Sequence, residues 1–307
     1  QLFLWWLDEM ATSPHTLQEK MTWFWHGHWA TSIGKVNYAL PMFNQNVTMR
    51  KFALGNFKDF AKTMFSDGAL QVWLDGQENT VKAPNENFSR EMMELFVLGV
   101  NRYTETDVKE LARAFTGYQV SRSKGIVTHN PRRRDTSSVT ILGKTGVMNP
   151  EEVITHLVSQ SNCALFIAER IWYRFVSSQE PLPQNHPMIK AFADRDTYAL
   201  MKSLIESSAL SQQQYSMVKS PVEWFIGLCR ALSITPSKLP SPTKLVGFLE
   251  KRSQVPFSPP NVGGWPVDQA WLSSASAQFR VSFATSLIGQ ANLAEFTAVS
   301  PLKRPAY

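Results

Sequence analysis

The stretch NPEEVITHLVSQSNCALFIAERIWYRFV, residues 149–176, decides the fold class. It opens on Asn149-Pro150. Asn can accept hydrogen bonds from free helical N–H groups, and Pro fits the first helical position because it has no N–H to leave unpaired. Val153, Ile154 and Leu157 follow at helical spacing. A second run over about 162–176 carries Leu165, Phe166, Ile171, Trp172 and Phe175 in the same rhythm. Two consecutive helices are predicted.

The same start signal recurs at Ser13-Pro14, Ser220-Pro221 and Ser241-Pro242. After Ser220 come Val222, Phe225, Ile226 and Cys229, one apolar stripe. Thr104-Glu105-Thr106-Asp107 reads as a capping box with Asp as the acidic member, ahead of Val108, Leu111, Ala112 and Phe115. Between about 119 and 148 the period changes. YQV, GIVTH and SVTIL are β-prone runs separated by SRSKG and NPRRRDTS, which predicts a small hairpin or three-stranded insert with Arg132, Arg133 and Arg134 at its turn. LDGQENTVKAPN (74–85) and VPFSPPNVGGWP (255–266) read as ordered loops, the second pinned to the body by Trp265. No linker or repeat interrupts the chain. The expectation is a mainly α, multi-helix single domain over 1–307 with a β-rich insert at 119–148.

Composition agrees with a packed body. Of 307 residues, 43% are hydrophobic and only 18% charged, and ten Trp and nineteen Phe supply much bulk for a core. The net charge of +6 suits anionic partners, but the only dense basic run is Arg132–Arg134. Most aromatics follow core spacing, which argues against a nucleic-acid binder. No run of eighteen apolar residues predicts a membrane span. Cys163 and Cys229 fall in apolar helical patterns and read as buried thiols, with a single bridge between them left open. The chain opens in LFLWWLDEM, which reads as the middle of an amphipathic helix, so a natural N-terminal region is expected upstream.

Two segments carry candidate chemistry. PNENFSREMMELFVLG (84–99) reads as a helix capped by Asn85 and ended by Gly99, apolar nearly all round. Asn87, Arg90, Glu91 and Glu94 nevertheless lie on one stripe, and Glu86 pairs with Arg90 at i,i+4. Buried charges need partners, so a polar network is expected, either bracing neighbouring helices or serving as a ligand or acid–base site. In MTWFWHGHW (21–29), His26 and His28 flank Gly27. On an intact helix they point roughly 200° apart. A break at Gly27 would let both reach one metal ion, with Glu91 or Glu94 completing the shell. No GxSxG, P-loop, dinucleotide-binding glycine pattern or HExxH occurs.

At these residues the chain resembles a bacterial family catalogued as domain of unknown function 1800. FWHGHW (24–29), QNVTMRKFALGNF (45–57), PNENFSREMMELFVLG with YTETDVKELARAFTGY, CALFIAERIWYRFV (163–176) and PPNVGGWP (259–266) are each similar to a family block. The resemblance implies a helical fold, and an exported protein placed in the periplasm or outside the cell. It puts His26, His28, Asn85, Glu86, Asn87, Arg90, Glu91 and Glu94 among the characteristic polar positions. The chain departs from the family where Arg134, ahead of Asp135, and Val139 stand in place of a histidine and a lysine, and where Pro266-Val267-Asp268 replace a glycine-rich continuation.

Two functions are compatible with this reading. One is a non-catalytic exported binding or scaffold protein, in which Asn85, Glu86, Asn87, the basic turn Arg132–Arg134 and Trp265 contact a protein partner or an anionic glycan. The other is a metal-dependent, hydrolase-like enzyme using a divalent transition metal. His26 and His28 would be its ligands, Glu91 and Glu94 ligands or general base, and Arg90 the substrate-orienting cation.

Overall fold

A computed structural model of the chain describes residues 1–212, 217–242, 244–250 and 253–288. They are mainly helical, with two small antiparallel hairpins. The expected starts are found where a polar cap and an acidic third residue coincide. Thr104 with Asp107, Asn149 with Glu152 and Ser220 with Glu223 each form a reciprocal capping box. They open the helices Glu105–Ala114, Pro150–Ser159 and Pro221–Ala231. Ser13-Pro14 lies further out than expected. Its helix, Thr16–His28, begins two residues beyond the proline, and the Ser13 hydroxyl instead accepts from the His15 N–H. The second helix of the deciding stretch is Ser161–Phe175.

The insert is two separate hairpins rather than one hairpin or a three-stranded sheet. β1 (Tyr118–Ser121) pairs with β2 (Ile126–His129), and β3 (Val139–Ile141) with β4 (Lys144–Gly146). The fourth strand, Lys-Thr-Gly, has no β-branched run to betray it, because its register is set by the tight Leu142-Gly143 turn, both residues at positive φ. Val139 and Ile141 anchor this hairpin in the core.

The apolar side chains form two clusters. The larger joins Met21, Phe24, Trp25 and Trp29 to Phe57, Phe60, Phe96, Leu111, Ile154 and Ile171. The smaller joins Trp6, Met10 and Val72 to Phe225, Cys229 and Phe257. The Thr16–His28 helix is the wall between them, with Trp25 against Phe57 and Phe60 on one side and Trp23 against Trp6 on the other. Both faces of this helix are therefore covered, which explains why its sequence has little amphipathic contrast. Cys163 lies in the first cluster and Cys229 in the second. Both are free thiols that burial pushes up to about 12. No described helix is long and apolar enough to cross a membrane.

Candidate functional site

The dividing wall fixes the two histidines. The helix runs unbroken through Gly27 to His28, so the break that a shared metal would require is absent and the side chains leave opposite faces. His26 turns toward the smaller cluster, edge-on to Trp6 at 4.9 Å between ring centroids, and its Nε2 accepts the Phe257 N–H at 2.9 Å. His28 turns toward the larger cluster, where its Nε2 lies 2.9 Å from the Phe96 carbonyl. A carbonyl only accepts, so Nε2 of His28 carries the proton and its buried Nδ1 is left without a partner. Burial holds both rings down to about 3, His28 further aided by Arg170 and Arg174 against the raising effect of the Phe96 bond. Both are neutral core histidines. The shared-metal arrangement is not formed: each Nε2 is committed to backbone. Among the described residues, no three His, Cys, Asp or Glu side chains are grouped to hold an ion.

The 84–99 stripe is a network at the surface rather than in the core. Arg90 makes a bidentate pair with Glu105 at 2.7 and 2.8 Å and reaches Glu86 at 3.2 Å. Glu105 is exposed, so this cluster is a solvated brace between neighbouring helices. Glu94 accepts the Tyr103 hydroxyl, and partial burial with Glu94 alongside raises the Glu91 carboxyl against the pull of Arg90. Asn85 accepts the Asn87 N–H at 3.0 Å, and the Asn87 amide donates to the Leu74 carbonyl at 3.1 Å. The α-helix proper is only Asn87–Glu91, followed by a π-helical Met92–Val97 in which the Leu98 N–H reaches the Met93 carbonyl. The wider turn ends at Gly99, whose φ of 91° is open to glycine and where a Cβ would lie 2.7 Å from Phe166.

The arginine turn is also largely committed. Arg133 donates to the Gln77 carbonyl at 2.8 Å and Arg134 to the Met148 carbonyl, which fastens the insert to the body. Arg132 is exposed. Asp135, next to the first departure from the family pattern at Arg134, pairs with Arg113 at 2.9 Å.

The described side chains that packing leaves unexplained lie elsewhere. Arg170 and Arg174 stand one turn apart on the Ser161–Phe175 helix, both part-buried. Among the described residues neither forms an ion pair with a carboxylate. Arg170 makes no hydrogen bond there, and its Nε is buried without a partner. Arg174 donates one bond, from Nη2 to the Trp265 carbonyl at 2.8 Å. Burial, then the neighbouring Arg170, lowers the Arg174 guanidinium to about 10, against the raising pull of Glu223 and Tyr173. Like charges at i,i+4 repel, and an unpaired buried cation is costly.

Arg174 lines a cavity of about 150 Å³ bounded by the Thr16–His28 helix, the start of the Pro221–Ala231 helix and the 255–268 loop. Trp265 is buried there, stacked on Trp23 at 5.1 Å, with its indole N–H unpartnered. Gly264 brings the loop onto the helix backbone: its φ is 83°, and a Cβ would meet the Gly27 carbonyl oxygen at 2.3 Å. Lys20, Arg174 and Lys219 face Glu223 and Asp268 across the space, three cations against two carboxylates. Both carboxylates are engaged. Glu223 pairs with Lys20 at 2.5 Å and accepts the Ser220 N–H; burial would raise it, but these partners prevail and leave it at about 2. Asp268, from the second departure, accepts Val218 N–H and Ser178 hydroxyl, each at 2.7 Å.

Three of the blocks singled out in the sequence thus meet at one pocket: FWHGHW, CALFIAERIWYRFV and PPNVGGWP. The model of the family described as protein of unknown function (DUF1800) matches residues 1–305. The chain belongs to the DUF1800 family. No curated protein and no solved structure matches this DUF1800 chain. Of the residues expected from sequence to form a site, only Trp265 lines the pocket. The visible signal for Arg170 and Arg174 is two arginines at i,i+4 on a helix whose one acidic residue, Glu169, is taken by Arg102.

Proposed function

We propose that this DUF1800 chain is an exported, non-catalytic binding protein that grips its ligand by an anionic group at the Arg174 pocket. The observation that carries the reading is Arg174, without a carboxylate ion pair and one turn from Arg170, on the wall of a cavity whose two carboxylates are already engaged. A carboxylate, sulfate or phosphate supplies the direct ion pair that no protein carboxylate makes with Arg174, through charge-assisted and bidentate hydrogen bonds. The cavity, about 150 Å³, is below the ~300 Å³ at which whole small-molecule sites begin, so it suits one charged group of a larger ligand. An acidic glycan would present one carboxylate or sulfate there, and a protein partner one acidic side chain.

The metal-enzyme alternative has less support, because both histidine Nε2 atoms are taken by backbone groups. Calorimetric titration of the whole chain with acetate, sulfate and phosphate tests the binding reading. Saturable binding of at least one anion, lost in an Arg170→Gln/Arg174→Gln double variant and kept in Arg132→Ala, is expected. No binding, or equal binding by the double variant, overturns it. Fractionation of the producing cell tests export, and a cytoplasmic protein would contradict that part.

A further inference from the structure

We infer that the ligand is an anionic amphiphile, its charged head at Arg174 and its hydrocarbon tail in an adjoining apolar cavity. This rests on the anion pocket proposed above and names what enters it. The second cavity, of about 320 Å³, shares Lys20, Trp23, Phe175, Lys219 and Glu223 with the first. Five residues in common make the two spaces neighbours along one wall. Beyond that wall the character changes. Leu17, Met201, Ile205, Leu210, Val222 and Ile226 line the far part, with no basic residue among them.

Ile205 and Leu210 are 50% and 47% exposed, on the Thr197–Glu206 helix and the short turn Ala209–Ser211 that follows it. Single exposed apolar residues are ordinary, but these two open onto the same groove. The acidic side chains on its wall offer no counter-site for a cation. Glu19 is held by Arg50 through bonds of 2.5 and 3.0 Å, and Glu223 is held by Lys20. The groove therefore has a cationic end and an apolar end. That polarity selects a chain with a negative head over a neutral or cationic one, and both cavities together reach the size of a small-molecule site. The unbranched, adaptable Met201 and Met10 on its wall suit a flexible tail.

The test is calorimetric titration of the whole chain with straight-chain carboxylates of six, eight and ten carbons below their micellar concentrations. Acetate, the matching alcohols and the matching alkylammonium ions run in parallel. The proposal expects affinity to rise about fourfold per added methylene, tighter for carboxylates than for alcohols and absent for ammonium ions. An Ile205→Asp/Leu210→Asp variant changes only exposed side chains. It should keep acetate binding and lose the chain-length dependence. Acetate binding with no length dependence in the wild-type chain overturns the amphiphile and leaves the anion pocket standing. Length dependence that is equal for alcohols and carboxylates, or no binding of any carboxylate, overturns both. Co-sedimentation with anionic phospholipid vesicles, without binding of the free carboxylates, would make the groove a membrane contact and likewise overturn the proposal.

Discussion

Replacing Arg174 by methionine should stabilise the ligand-free protein. Burial beside Arg170 brings the guanidinium from its ordinary, higher value down to about 10. At ~1.4 kcal/mol per tenfold change in proton affinity, holding that charge in the folded chain costs about 3 kcal/mol. Because the folded value is the lower one, the full cost is present at every pH below about 10. It fades as pH rises beyond that, where the folded chain sheds the proton before the unfolded chain does. Methionine keeps the apolar stem and removes the charge. It also deletes the bond to the Trp265 carbonyl, a loss of about 1–2 kcal/mol. The balance is a gain of about 1–2 kcal/mol, read as a higher urea midpoint at pH 7.5 with an unchanged slope. The same variant should lose the extra stability that added anion gives the wild-type chain. A midpoint lowered by the equivalent of 1 kcal/mol or more would refute the reasoning and make Arg174 a structural brace.

Three further outcomes are expected. His26 and His28 are held at about 3, so each lends stability that is present above pH 6.5 and lost as pH falls toward 3, about 2 kcal/mol per ring at pH 5. Asp67, raised to about 6 chiefly by burial, works in the opposite sense, so the clean readout is a difference. Between pH 7 and 5, His28→Gln should lose about 2 kcal/mol less than the wild-type chain in urea unfolding, and equal losses would count against a buried neutral ring. Gly264→Ala places a methyl 2.3 Å from the Gly27 oxygen at a positive φ and should cost more than about 2 kcal/mol, with anion binding weakened because the Trp265 loop lifts. Asn149→Ala removes one side of a capping box and should cost about 1 kcal/mol by the same unfolding assay, with no effect on anion binding.

The helices were legible because their boundaries are written in local chemistry. Thr104, Asn149 and Ser220 each satisfy free N–H groups within three residues, so no tertiary information is needed. Ser13-Pro14 lacked that closure, since Thr16 sits at the third place and offers no carboxylate. The π-helical turn at Met92–Val97 was hidden because Gly99, which ends it, packs against Phe166, 67 residues away in another helix. The Arg90 stripe looked buried from its apolar neighbours. It is part-exposed because Glu105 comes from the next helix and draws the guanidinium outward. His26 and His28 drew attention as potential ligands, yet helix continuity through Gly27 sends them into different clusters. The pocket itself depends on the approach of Gly264 to Gly27, a long-range contact that spacing along the chain does not encode.

In the proposed function an anion completes the charge of Arg174 beside Arg170. Anomalous diffraction from crystals of the whole chain grown with selenate or a brominated carboxylate tests it most directly. A peak is expected within hydrogen-bond distance of the Arg174 guanidinium, in the space bounded by Lys20, Trp23 and Trp265. A well-occupied peak elsewhere with that space unfilled, or no peak at saturating anion, would contradict it.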